Sequence, residues 1–267
     1  MTTTDRTAAT AAFAQAWPYP RLVAHRGAGK LAPENTLTAM RVGHAHGYRM
    51  FEFDVKLAAD NLSFLLHDET LERTTTGHGR ADALPWRELS RLDAGGWHSA
   101  KYAGEPLPTL AAIARWARAH GVACNVEIKP TEGRERETGA AVALDASSLW
   151  RDAEVPPLLS SFSEESLAAA REAVPLLPRA LLLDALPADW LGRLERLGCV
   201  ALDACHRSLT AAVVRTAHEN GYRVVCFTPN DPARVIELAG WGVDTIITDA
   251  VDRIAADSLP PALPLKG

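Results

Sequence analysis

Short runs of apolar and β-branched residues recur along the chain, most of them closed by one or two polar side chains. They are RLVAHRG (21–27), MFEFDVKL (50–57), SFLLHDE (63–69), ACNVEIK (123–129), PLLSSFS (157–163), RALLLD (179–184), CVALDA (199–204), RVVCFTPN (223–230) and VDTIITD (243–249). Each predicts a strand. Between most of them lie stretches rich in Ala, Leu, Arg and Glu with helical spacing, among them ENTLTAMRVGHAHG, TLAAIARWARAHG, SEESLAAAREAV and SLTAAVVRTAHENG. Several of these stop at glycine, a common helix terminator. Strand alternating with helix along the whole length predicts a parallel sheet. At 267 residues the first choice is a closed (β/α)8 TIM-type barrel forming a single domain over residues 1–267, since such barrels run to about 250 residues. An open doubly wound sheet is the second.

Two irregularities predict a distorted barrel. Nine strand-like runs compete for eight places. The connection from Asp54 to His67 also has no room for a crossover helix, and a parallel pair needs about a dozen or more linking residues. Either the barrel is deformed near its second and third runs, or one run is not a barrel strand. A polar, glycine-rich segment over about residues 69–107 then breaks the rhythm, and is far longer than the usual 2–6 residues or so of a βα loop. It reads as a small inserted subdomain over one end of the barrel. The Pro-rich tail SLPPALPLKG is expected on the surface.

Composition narrows the class. The net charge of −5 gives no basic patch for a nucleic-acid surface. Cys124, Cys199, Cys205 and Cys226 form no Cys-x-x-Cys pair and no zinc pattern, and three of them sit in apolar runs. Residues 1–16 hold no apolar core flanked by basic residues, and no window approaches the ~18 apolar residues of a membrane span. The expectation is a cytoplasmic protein acting on a small molecule.

Active sites of such barrels lie where strands end and βα loops begin. The first run ends in His25-Arg26, the second carries Glu52 and Asp54, the third ends in His67-Asp68, and the fourth carries Asn125, Glu127 and Lys129. Strand residues two apart share a face, so Glu52 and Asp54 point inward with Lys56 following, and Asn125, Glu127 and Lys129 line up likewise. Phe53, Val126 and Ile128 then face the helices. Carboxylates aimed into a barrel are costly unless paired or bound to a cation. Glu52, Asp54 and Glu127 suggest a hard divalent ion, Mg²⁺ or Ca²⁺; ion pairing with Arg26, Lys56 and Lys129 is the plainer alternative. Two histidines at strand ends beside these acids suggest acid–base chemistry, against a structural imidazole at each.

The other histidines carry less. His44 and His46 are expected on a helix surface, His78 and His98 in the insertion, His120 and His218 near helix ends, and His206 just after a strand. In APENT (32–36), Asn35 or Thr36 is a candidate helix N-cap, and the turn's N–H groups are candidates to cradle a phosphate. Trp97, Phe162 and Phe227 are aromatics for the rim, with core packing the alternative for the two phenylalanines.

HRG followed by PENT, then EFDV, LLHDETLERTT, PLPTL, NVEIKP, LSSF, FTPN and IITD stand in that order over residues 25–249. This ordered set resembles the glycerophosphodiester phosphodiesterase family. The wording WPYPRLVAHRGAGKLAPENTL is most similar to its cytosolic bacterial branch linked to glycerol-3-phosphate uptake. The resemblance implies a TIM-type barrel with an inserted subdomain, a divalent metal on Glu52, Asp54 and Glu127, and catalysis by His25 and His67. Arg26 would bind the phosphate with help from Lys129, and Trp97 and Phe227 would cover the glycerol carbons. The implied reaction is hydrolysis of glycerophosphodiesters, such as glycerophosphocholine and glycerophosphoethanolamine, to sn-glycerol 3-phosphate and an alcohol. His25 is taken as base and His67 as acid; direct water attack and a cyclic phosphate intermediate both stay open. Two departures are Phe227, where the family often has Trp, and the missing proline after Thr248-Asp249.

Rival readings make different demands. A metal amidohydrolase would want His-x-His on its first strand. A Schiff-base lysine at Lys129 would be held protonated by its carboxylate neighbours. A lyase of the same superfamily that stops at a cyclic phosphate, and a non-catalytic metabolite-binding barrel, remain as alternatives. A homo-oligomer is compatible with all of these.

Overall fold

The computed structural model describes residues 17–262; the reading of residues 1–16 and the last five residues of the tail lie outside them. All nine apolar runs form strands: β1 (Leu22–Ala24), β2 (Met50–Leu57), β3 (Ser63–Leu65), β4 (Ala123–Ile128), β5 (Leu158–Ser161), β6 (Arg179–Leu183), β7 (Ala201–Cys205), β8 (Arg223–Phe227) and β9 (Thr245–Thr248). Eight pair in parallel in the order β1-β9-β8-β7-β6-β5-β4-β2, and β1–β2 pairing closes the ring. The ninth is β3. It lies antiparallel on β2, with Val55 opposite Leu65 and Leu57 opposite Ser63. A hairpin needs no crossover, so the short 54–67 connection is explained by a strand outside the barrel.

Helices α1 (Leu37–Ala45), α3 (Leu110–Ala119), α4 (Glu135–Leu149), α5 (Glu164–Ala173), α6 (Trp190–Leu197), α7 (Ala211–Glu219) and α8 (Pro232–Gly240) surround the barrel, and a single turn, α2 (Trp86–Leu89), lies in the insertion. Their starts follow capping chemistry. The side chains of Thr36, Thr109, Ser163, Thr210 and Asp231 each accept a backbone N–H of the first turn, worth about 1 kcal/mol apiece. Helix α3 shows the face logic: Ile113, Ala114, Trp116 and Ala117 are buried while Arg115 and Arg118 are exposed.

Strand alternation sorts the core into two layers. Leu22, Ala24, Phe51, Phe53, Val126 and Ile128 pack outward against the helices. Val23, Met50, Leu158, Ala180, Ala201 and Val225 fill the lower barrel interior together with Trp17 and Tyr19. Trp17 donates its indole N–H to Thr245 Oγ1 at 3.0 Å and meets Tyr19 edge-on. The lower end is therefore apolar and filled, which leaves the upper end for polar chemistry. The inserted segment packs a small core of its own: Leu71, Ala81, Leu89, Ala94 and Leu107 gather on Phe64 of β3. Its Glu105 accepts both the backbone N–H (3.0 Å) and the hydroxyl (2.7 Å) of Thr38, which ties it to α1. All four cysteines are buried and free. Among the described residues no helix is long and apolar enough to cross a membrane.

Beneath the barrel, buried Asp244 accepts from Arg223 Nη1 at 2.7 Å, His218 Nε2 at 2.8 Å and the Val224 N–H at 2.8 Å. Removing a carboxylate from beside a buried guanidinium is costly. Asp244→Ala is expected to lower the unfolding free energy by about 3 kcal/mol in urea titration, while KM stays unchanged because the site lies at the other end.

Candidate active site

Strands β2 and β4 run side by side with Glu52 opposite Asn125 and Asp54 opposite Glu127. The inward face of each therefore delivers its acids to one place. Oxygens of Glu52, Asp54 and Glu127 lie within 4.8 Å of one another, and all three side chains are buried. Cations ring them. Lys129 Nζ stands 2.7 Å from Glu127 Oε1 and 3.6 Å from Asp54 Oδ1, and Arg26 Nε stands 3.4 Å from Asp54 Oδ2. Asn35 fixes Asp54 from both sides, donating Nδ2 to Oδ2 at 2.7 Å and accepting the Asp54 N–H at 3.0 Å.

The surrounding cations do not balance this cluster. Burial, then the charge of Asp54, pushes both Glu52 and Glu127 above the usual carboxylate range. Burial acts the same way on Asp54, but Arg26, Lys129 and His67 outweigh it and hold its pKa down. Glu52 Oε2 accepts the Arg26 backbone N–H at 3.0 Å, whereas buried Glu52 Oε1 has no hydrogen-bond partner. Three hard oxygen donors with an orphaned atom and an unbalanced negative charge fit a divalent cation of the Mg²⁺ or Ca²⁺ type.

Beyond β1 the chain makes a tight turn, His25–Gly27, in which Arg26 adopts φ 49° and Gly27 φ 99°. Asn35 is also left-handed, at φ 59°. Such conformations are strained for side chains other than glycine, and here they aim Arg26 and Asn35 at Asp54. Arg26 also grips Glu34 Oε1 at 2.7 Å. Glu34 in turn receives Arg73 at 2.8 Å on each oxygen, and Arg73 binds Asp68. Asp68 holds His67 Nδ1 at 2.6 Å. One chain of charges thus runs from Arg26 to His67.

His25 has its own support. Its Nδ1 lies 2.6 Å from Asp249 Oδ1 and its Nε2 lies 3.7 Å from Glu52 Oε2. Asn230 donates to Asp249 Oδ2 at 2.9 Å and accepts the Asp249 N–H at 2.8 Å. In both histidines a carboxylate takes the Nδ1 side, which makes Nδ1 the N–H and leaves Nε2 for chemistry. Their environments differ. Burial disfavours the charged form of His25, but the hydrogen bond to Asp249 and the charge of Glu52 outweigh it and raise its pKa. At His67 burial leads and Arg26 and Lys129 add to it. Together they outweigh Asp54 and Asp68, so its pKa is lowered.

His25, Arg26, Glu52, His67, Glu127, Lys129 and Phe227 line one cavity of about 160 Å³, closed by Phe162, Leu182, Ile247 and Thr228. Asp54 completes the carboxylate group without lining the cavity. Phe162 meets Phe227 edge-on at 5.7 Å and carries Lys129 Nζ 5.5 Å from its ring centre. Trp97 is not in this cavity. Its indole N–H goes to the carbonyl of Ala94 at 2.9 Å and the ring is 41% exposed on the insertion. A large aromatic in a loop suggested substrate contact, but its polar atom is satisfied locally. His98 faces the Lys30 carbonyl, and the backbone of His206 accepts from Arg234; neither reaches the cavity. In APENT, Thr36 is the cap and Asn35 the carboxylate holder.

Asp249 and Asn230 hold His25, and Glu34 and Arg73 link Arg26 to Asp68; no role follows for them from the ends of the first four runs. The signal was present in IITD and FTPN, whose polar ends obey the same rule. Asp203 is a lone buried acid in the otherwise apolar β7.

A model of the glycerophosphoryl diester phosphodiesterase family matches residues 25–253. A glycerophosphodiester phosphodiesterase of Caldanaerobacter subterraneus is 31% identical over 229 residues, covering 85% of this chain and 93% of that protein. Among solved structures, a phosphodiesterase of Oleispira antarctica in complex with the product sn-glycerol-3-phosphate matches with a TM-score of 0.85 at 34% identity. The match covers 92% of this chain and 99% of that one. A glycerophosphodiester phosphodiesterase of Agrobacterium tumefaciens matches with a TM-score of 0.74 at 28% identity, over 89% of this chain and 99% of its own.

Gly29 gives this geometry a direct test. At φ 55°, a Cβ there would stand 2.0 Å from the carbonyl oxygen of Asp249. Gly29→Ala must push β1's turn away from β9 and open the His25–Asp249 pair. Turnover is expected to fall by at least about 10²-fold in a steady-state assay, with the far-ultraviolet circular dichroism of the barrel retained.

Proposed function

This chain belongs to the glycerophosphoryl diester phosphodiesterase family, and from that premise we propose the following activity. The enzyme hydrolyses glycerophosphodiesters, such as glycerophosphocholine and glycerophosphoethanolamine, to sn-glycerol 3-phosphate and an alcohol. The observation that carries this reading is the pair of carboxylate-backed imidazoles, His25 and His67, facing one cavity floored by acids and walled by Arg26 and Lys129. The product bound by the Oleispira antarctica relative is in keeping with it. Buried free cysteines accord with a reducing, cytoplasmic location.

A phosphodiester resists attack because its anionic oxygens repel nucleophiles. Arg26 and Lys129 offset that charge and orient the phosphate between the histidines. Glu52, Asp54 and Glu127 would hold a divalent cation, Mg²⁺ or Ca²⁺, whose chemistry when bound is to neutralise and polarise the phosphoryl oxygens. The two histidines divide the proton work. Asp249 shares its charge only with neutral Asn230 and so supports an imidazolium at His25. At His67 burial with the charges of Arg26 and Lys129 outweighs Asp54 and Asp68, so it rests as the free base. His67 therefore takes the proton from the attacking hydroxyl, and His25 gives one to the leaving alcohol. This inverts the order expected from the sequence, in which neither the Asp249 contact of His25 nor the cations around His67 are visible. Phe227 and Phe162 offer apolar cover to the carbon portion of the substrate.

His25→Ala and His67→Ala are each expected to lower kcat by about 10²–10⁴-fold, with phosphorus NMR of the wild-type product showing glycerol 3-phosphate. A cyclic phosphate as the end product would overturn hydrolysis in favour of the lyase. The base must be neutral to act, and the pKa of His67 is lowered. The acidic limb of kcat/KM is therefore expected below the ordinary imidazole value of about 6.5. Activity should persist as the pH falls through that value and vanish only below it.

Chelation with EDTA is expected to abolish turnover, and adding Mg²⁺ or Ca²⁺ to restore it. Isothermal titration should detect cation binding in the wild type and lose it in Glu127→Gln. Full activity in the chelated protein would remove the cation from the mechanism.

A further inference from the structure

Beneath the histidines, the cavity floor carries polar atoms that the mechanism above does not use. Asp203, at the centre of β7, has no exposed surface, and neither of its carboxyl oxygens has a hydrogen-bond partner. Ser160 Oγ on β5 and Asn125 Oδ1 on β4 are also fully buried and unpartnered. All three residues line the cavity. The apolar layer below them, Leu158, Ala180, Ala201 and Val225, offers no donor. Asp203 is paired in register with Leu182 and Val225, so its neighbours along the sheet are apolar as well.

Leaving several buried oxygens unmade is expensive, each costing about as much as a lost hydrogen bond. A well-packed apolar residue at position 203 would avoid that cost, so the acid is held against stability. Orphaned oxygens on residues that line a cavity call for hydroxyl groups from a ligand. Choline has no N–H to give them, and an ethanolammonium donates but cannot accept from the Ser160 hydroxyl. A polyhydroxy alcohol has two or three O–H groups, each of which can also accept.

We propose that Asp203 is a specificity-determining residue that hydrogen-bonds a hydroxyl of the substrate's glycerol portion on the cavity floor, with Ser160 and Asn125 beside it. The inference rests on the glycerophosphodiesterase reading above. Burial, with the nearby charges of Glu127 and Glu52, keeps the Asp203 carboxyl well above the usual carboxylate range. A neutral carboxyl both donates and accepts, which suits an alcohol better than a cation. The phosphate then lies toward Arg26 and Lys129, and the variable alcohol toward the cavity mouth.

The test compares two ligands that differ only in hydroxyl groups, sn-glycerol 3-phosphate and propyl phosphate, as competitive inhibitors and by calorimetry. The wild type is expected to prefer glycerol 3-phosphate. In Asp203→Leu and Asp203→Ala that preference should shrink by about 30-fold, with propyl phosphate binding unchanged. Asp203→Asn, which keeps a donor and an acceptor, should retain most of it. The Tm of Asp203→Leu is expected to rise, because an unpartnered carboxyl has been replaced by a hydrocarbon; a lower Tm would argue that the acid is structural. Preserved discrimination in both Leu and Ala variants, or an equal loss for both ligands, would overturn the role of Asp203 while leaving the hydrolase reading intact. Failure of the wild type to hydrolyse glycerophosphocholine would instead overturn that reading, and this inference with it.

Discussion

Mutual repulsion among three carboxylates inside the barrel is the condition that the rest of the upper structure answers. Glu52, Asp54 and Glu127 are brought within 4.8 Å by nothing more than the parallel register of β2 and β4. Unit charges at such distances interact by about 4 kcal/mol even at an effective dielectric of 20. Lys129 and Arg26 relieve Asp54 most, and the left-handed turn after β1 exists to bring Arg26 there. Glu52 and Glu127 are left incompletely neutralised. That residual charge is what makes the place suited to a hard cation and, through it, to an anionic substrate.

Around this centre the supporting groups form two separate frames. His25 leans on Asp249 and Asn230, from the ends of β9 and β8. His67 leans on Asp68, Arg73 and Glu34, and through Glu34 on Arg26. The frames come together at Arg26, which follows His25 in the chain and whose backbone N–H goes to the Glu52 oxygen facing His25. Two imidazoles with identical intrinsic chemistry are thereby biased in opposite directions, which a single shared environment would not achieve.

Much of this was legible in the chain itself. The period of the apolar runs marks all nine strands, and the strand-end rule picks out His25, Arg26, Glu52, Asp54, His67, Glu127 and Lys129, which the fold brings together at one cavity. SFLL resembles a barrel strand because β3 is as buried as the others; only its connection length betrayed the antiparallel pairing. Asp249 stands in IITD, but its tie to His25 spans 224 positions and nothing local marks that contact. Asn35 looked like a cap because Asn is a common cap; its left-handed backbone, invisible in the sequence, turns it to Asp54 instead. Trp97 was chosen by residue type, and type alone does not reveal that its N–H is already taken.

The hairpin that carries β3 divides the catalytic pair by topology. His67 rides on a local element: β2, β3 and the loop bearing Asp68 and Arg73 are neighbours in sequence and can assemble early. His25 and Asp249 come together only when β9 pairs with β1 and the ring shuts, the most non-local event in the fold. Loop-closure entropy puts such contacts late. On the proposed assignment the base is thus mounted before the acid is backed, and the carboxylate behind His25 arrives in the same step that completes the barrel. Ring closure and the support of His25 are one and the same contact, so the barrel's seam and the site share a single fastening.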